Sequence, residues 1–158
     1  MQKFIAIVLV SLMATALVAQ AAAKKEAPKA GPTPAQIEKA NDKVAFATED
    51  TAVLKLPENR GETKFIPAKI GDFDEAQIAK GVIIGKLVAA YRTVDGMPAG
   101  TYHAYVCKEA DGWWIYYTQG KGVFAKAKSV EKVDHTFNKP SFSENGHAIF
   151  YWVLKFSW

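Results

Sequence analysis

The chain has 158 residues, 49% of them apolar, 12% aromatic and 23% charged, with a formal net charge of +4 and a single cysteine, Cys107. That length fits one ordinary domain rather than a multidomain enzyme, and the aromatic content is too high for a chain that stays unfolded. One cysteine excludes a disulfide scaffold, and the lack of a second long apolar run excludes a polytopic helical membrane protein.

Lys3 precedes an apolar run at residues 4–18, followed by Ala19, Gln20, Ala21, Ala22 and Ala23 and then by Lys24, Lys25 and Glu26. This order predicts a secretory signal peptide over residues 1–23, cleaved after Ala23 or after Ala21. The alternative is an uncleaved anchor, since residues 4–23 are long enough to span a bilayer. The protein is therefore expected to be exported, to the periplasm or outside the cell. An oxidising compartment offers Cys107 no intramolecular partner, so it is expected to pack as a small hydrophobe. Residues 24–35, with Pro28, Pro32 and Pro34, cannot bury surface and read as a Lys/Pro/Ala-rich tether. Residues 36–158 are expected to form a single domain.

Thr33, Pro34 and Gln36 have the spacing of a capping box, which predicts a short helix to about Asn41. From about Val44 the apolar period changes to two. Residues 52–56 and 63–70 read as strands, the second placed at an edge or bulged by Pro67. Asp72, Asp74 and Glu75 suit a helix start and Gly81 its stop, giving one or two turns. Residues 82–94 read as a long strand in which Gly85 marks a bulge or a close backbone approach. Residues 101–108 and 113–118 form a hairpin around Ala110, Asp111 and Gly112. Residues 123–128 alternate cleanly, 129–137 continue or pair, and Glu144, Asn145 and Gly146 turn the chain into a last strand at 147–158. Seven to eight strands with one or two short helices predict an all-β fold, an antiparallel β-sandwich, with a small barrel as the alternative.

Two aromatic runs stand out as candidate binding surfaces. Along residues 113–118, Trp113 and Tyr117 share one face while Trp114 and Tyr116 share the other, about 7 Å apart. Only one face can enter a sandwich core, so Trp114 and Tyr116 are expected to point outward as a platform for a protein partner or a sugar ring; Trp113 and Tyr117 are the alternative face. The last strand places Phe150, Trp152, Leu154, Phe156 and Trp158 on one side. It resembles the terminal strand of bacterial outer-membrane β-barrels, which implies membrane insertion as an alternative to a soluble module. The other strands lack the lipid-facing band that a barrel needs. The binding residues expected from sequence are therefore Trp113, Trp114, Tyr116, Tyr117, Trp152 and Trp158.

The stretch Pro98, Ala99, Gly100, Thr101, Tyr102, through Val106, resembles the turn and strand of prealbumin-like and carboxypeptidase-regulatory-type sandwich modules. That resemblance implies a β-sandwich that binds, braces or joins other domains. His103 and Cys107 are four apart on a strand, about 13 Å, too far to ligate one ion. No nucleophile elbow, metalloprotease motif, phosphate loop or paired cysteine is present. The expectation is a binding or assembly module of the cell envelope that is not an enzyme and takes no cofactor and no metal. Its partner would be a protein or envelope component, with carbohydrate as an alternative and no nucleic acid.

Overall fold

The computed structural model describes residues 31–71, 74–91, 97–126 and 130–158. The predicted leader, most of the tether, and Asp72, Phe73, residues 92–96 and 127–129 lie outside them. Helix α1, Pro34–Asn41, starts as its sequence dictates. The Thr33 hydroxyl accepts from the Gln36 amide at 3.3 Å, the Gln36 carboxamide oxygen accepts from the Thr33 amide at 2.8 Å, and Pro34 sits at the first turn. Helix α2, Glu75–Ala79, is capped by Asp74, whose carboxylate accepts from the Gln77 amide at 2.7 Å. Gly81 follows at φ +110°, a conformation that favours glycine.

The protein is all-β, built on two antiparallel sheets. Six strands, β1 Ala52–Lys55, β2 Glu62–Pro67, β3 Val82–Ala89, β4 Gly100–Glu109, β5 Gly112–Gln119 and β6 Gly122–Lys126, pair in chain order. The other two, β7 Val130–Phe142 and β8 Ala148–Ser157, form a long hairpin. The sheets pack as a sandwich and do not close into a barrel, so the barrel architecture suggested by the terminal strand is not the one adopted. Among the described residues no helix is long and apolar enough to cross a membrane.

The hairpin and the large sheet enclose the main core, which includes Phe65, Ile84, Leu87, Tyr102, Ile115, Tyr117, Tyr151 and Phe156. Burying a large side chain of this kind contributes about 1.5–3 kcal/mol. A second, smaller cluster lies around Ile83, Tyr105 and Tyr116, with Ala40, Val44, Phe46, Cys107 and Trp114 packed against it. Helix α1 lies against β3 and β6, so the large sheet is covered on both faces.

Local detail departs from the sequence reading in three places. Strand β3 ends at Ala89, and Ala90 and Tyr91, which the sequence reading included in it, lie outside it. Pro67 ends an interior strand instead of lying at an edge: β1 pairs only as far as Phe65, and Pro67 faces Gly85, beside a bulge in β3. Gly85 is needed there, because a Cβ would lie 2.2 Å from Phe65 Cζ and 2.9 Å from the Ile66 carbonyl.

The third departure is the terminal strand, which does not hold one alternation. Trp152 adopts φ +54°, a left-handed conformation that is an outlier for a bulky residue. The register breaks around it: the five-residue step from Lys132 to Phe137 on β7 matches the two-residue step from Leu154 to Trp152 on β8. Ile149 and Tyr151 before the break, and Leu154 and Phe156 after it, are the buried residues. Phe150 therefore does not share a face with Leu154 and Phe156.

Candidate functional site

The expected outward platform is covered. Tyr116 is only 2% exposed and Trp114 is half-buried, because α1 and the segment leading into it lie over this face. At Gly31 the chain is so close that a Cβ would sit 2.5 Å from the Tyr116 ring. The Tyr116 hydroxyl donates to the Glu109 carboxylate, and burial, followed by Glu109 itself, pushes its pKa up. The Trp114 indole N–H donates to Asp111 at 2.7 Å.

The remaining aromatics are also engaged. Tyr117 is buried in the main core and donates its hydroxyl to the Ser157 carbonyl. Trp113 and Trp152, half-buried, meet edge to face with centroids 6.5 Å apart. Trp158 donates from its indole to the Gly146 carbonyl at 2.7 Å, tying the strand end to the β7–β8 turn. The structure thus brings Trp113 and Trp152 together and sets Trp114 and Tyr116 on the opposite side of the sheet. Among the described residues the aromatics left largely open are Tyr91 and Phe124, which sequence reasoning missed. Cys107 is half-buried beside the second cluster and forms no disulfide. Among the described residues, no group of three potential metal ligands converges.

The helix that covers the platform creates a different feature, a cleft of about 460 Å³ between α1, α2 and the start of β3. Its wall is fixed by a short extension of the sheet. Phe46 bridges to Ala68, the Lys69 amide donates to the Ala45 carbonyl at 2.7 Å, and the Ala47 amide donates to the Pro67 carbonyl at 2.9 Å. The apolar lining comes from Ala40, Val44, Ala68, Val82 and Ile83, and Tyr105 belongs to it. Lys39, Lys43, Lys69 and Lys80 also line it, all exposed, with no Asp or Glu beside them in the lining. None of the four forms an ion pair among the described residues, where Lys64, Lys121, Lys132, Lys139 and Lys155 do. Lys39 in the last turn of α1 and Lys80 just past α2 also offset helix C-terminal carbonyls. Lys43 and Lys69 lie outside the helices, so the helix dipole does not account for the whole group.

A second recess, of about 350 Å³, lies on the other side of Ala68. Phe137, Tyr151 and Trp152 line it together with Glu49, Asp50, Thr136 and Asn138. Asp50 is held by Lys139 at 2.7 Å.

Comparisons with protein-family models, with curated proteins and with solved structures found no match.

Proposed function

We propose that this chain is an exported, non-catalytic binding module of the cell envelope or extracellular space, and that the cleft between α1 and α2 is its site for an anionic ligand. One observation carries this reading: four lysines without a carboxylate partner gather around an apolar hollow. The volume lies within the roughly 300–1,000 Å³ typical of ligand pockets. Unpaired like charges repel and are kept together at a cost, which an anion entering the hollow reverses. The leader-like residues 1–23 support export. The recognition surface on this reading is the cleft, not the Trp114 and Tyr116 platform that the strand pattern suggested.

The test is calorimetric titration of the processed chain with citrate and with hexyl phosphate at low ionic strength, beside a variant carrying K39Q, K43Q, K69Q and K80Q. Saturable binding that weakens with salt and is lost in the variant, with the thermal midpoint not lowered, is the expected result. Absence of binding to both probes, or equal binding by the variant, overturns it.

The left-handed Trp152 favours a second reading for the other recess. A bulky residue held at φ +54° costs about 1–3 kcal/mol and such strain gathers at binding sites. With Phe137, Asn138 and Thr136 alongside, the recess suits a neutral saccharide, stacked and hydrogen-bonded. Titration with cellotriose, chitotriose and maltotriose should quench tryptophan fluorescence saturably, and a flat response to all three removes this reading.

A further inference from the structure

The cleft contains a hydrogen-bond donor that the protein leaves unused. Five tyrosines are buried, namely Tyr102, Tyr105, Tyr116, Tyr117 and Tyr151. Four of them donate their hydroxyls within the protein: Tyr102 to the Pro98 carbonyl at 2.9 Å, Tyr116 to Glu109, Tyr117 to the Ser157 carbonyl and Tyr151 to the Ala68 carbonyl at 2.8 Å. Tyr105 is the exception. It is 2% exposed, yet its hydroxyl has no partner among the described residues. No fully enclosed side-chain nitrogen or oxygen in those residues is unpaired, so this hydroxyl is not sealed from solvent, and the opening beside Tyr105 is the cleft that it lines.

Its position is fixed. The hydroxyl rests over Gly81, where a Cβ would lie 1.7 Å from the oxygen, and the ring is held in the cluster with Ile83 and Tyr116. Burial, with Cys107 as the lesser cause, pushes its pKa up to about 12. The group is therefore a neutral O–H donor throughout the physiological range, and what it lacks is an acceptor oxygen.

We infer that the cleft binds a phosphate monoester carried on an apolar body, the Tyr105 hydroxyl donating to one phosphate oxygen while Lys39, Lys43, Lys69 and Lys80 neutralise its charge. This rests on the cleft being the ligand site. Three features favour phosphate over carboxylate. A phosphate monoester carries about −1.5 to −2 at neutral pH, which answers several lysines at once, where a carboxylate carries a single charge. It offers three charged oxygens in different directions, so one reaches Tyr105 while others face the lysines. The lining has lysines and no arginine; lysine binds phosphate as a point charge, whereas planar carboxylates are matched by the arginine fork. The apolar body is answered by Val44, Val82 and Ile83. Such a ligand is either a soluble organic phosphate or the headgroup of an acidic lipid.

The experiment compares hexyl phosphate with hexanoate on the processed wild-type chain and on the Tyr105→Phe variant, following affinity by calorimetry and folding by thermal denaturation. The wild type should bind hexyl phosphate at least tenfold more tightly than hexanoate. Tyr105→Phe should weaken hexyl phosphate by roughly tenfold, as loss of a charge-assisted hydrogen bond implies. Its thermal midpoint should not fall, since no protein partner is orphaned. K69Q and K80Q, both at exposed positions, should each weaken hexyl phosphate and leave folding intact. Phosphatidylcholine vesicles with and without phosphatidic acid separate the two sources: capture by the acidic vesicles supports a lipid headgroup, and binding of hexyl phosphate alone supports a soluble ligand. Equal affinity for hexanoate, or full affinity in Tyr105→Phe, overturns the phosphate assignment while leaving an anion site in place. Failure of both probes on the wild type overturns the anion site as well.

Discussion

The Tyr151 hydroxyl donates to the Ala68 carbonyl at 2.8 Å, both residues buried, and so fastens strand β8 of the small sheet to the strip that separates the lysine cleft from the Trp152 recess. Removing the hydroxyl leaves a carbonyl in the core without its acceptor role fulfilled. Tyr151→Phe should therefore lower stability by about 1–3 kcal/mol, measured by urea denaturation. A loss below a few tenths of a kcal/mol would mean that water replaces the bond.

At Trp152 the usual order of small substitutions should reverse. Glycine normally costs about 0.5–1 kcal/mol more than alanine inside a strand. Here the backbone is at φ +54°, which glycine adopts freely and alanine does not. Trp152→Gly should therefore be more stable than Trp152→Ala, although both lose the contact with Trp113. Chemical denaturation of the pair decides it, and the ordinary order would show that the strain is not there.

Gly81 should tolerate no side chain. Its φ of +110° and the Tyr105 oxygen 1.7 Å from an added Cβ act together. Gly81→Ala should destabilise by at least about 1–3 kcal/mol from backbone strain alone. Combined with Tyr105→Ala the loss should be clearly less than the sum of the two, since the same collision is removed only once. Additive losses would place the whole cost in the backbone.

His103 should make the fold acid-sensitive. Its Nδ1 lies 2.7 Å from Asn41 Oδ1, the tautomer with hydrogen on Nδ1 donating, and Asn41 in turn donates from its amide to the Gly120 carbonyl at 2.9 Å. Burial, and secondarily Lys86, hold its pKa below the ordinary 6.5. As pH falls, the unfolded chain takes up this proton before the folded one does. The stability contributed by the neutral ring is complete above about pH 6.5 and is lost as pH falls from there through the folded value. His103→Gln should flatten that part of the stability profile, followed by thermal melts between about pH 7.5 and 5, values within the usual histidine range of roughly 5–8. An unchanged slope would assign the acid response to other groups.

Much of the sheet was legible because its signals are local. Ala110, Asp111 and Gly112 mark a hairpin whose register, with Glu109 opposite Gly112, follows directly from the two-residue loop. Thr33 and Gln36 announce α1 in the same way. What covers a strand face is not local. The alternation at residues 113–118 correctly separates Trp113 and Tyr117 from Trp114 and Tyr116, but nothing near them states that α1 lies over the second pair. The cleft is less legible still, because Lys39, Lys69, Lys80 and Tyr105 come from separate parts of the chain and meet only through the fold. The one available signal was Tyr105, three residues beyond Tyr102 and thus on the opposite strand face. The flip at Trp152 had no marker at all, since tryptophan is among the least expected residues in a left-handed conformation.

The pairing of β1 through β6 in strict chain order means that each strand of the large sheet joins its neighbour in the chain, so the sheet can grow strand by strand. The main core does not mature with it. Until β7 and β8 dock, Phe65, Leu87, Ile115 and Tyr117 remain on a wetted sheet face, a surface prone to self-association. The yield of folded protein is therefore expected to fall when the long hairpin arrives slowly, a kinetic quantity that the stability of the finished sandwich does not report.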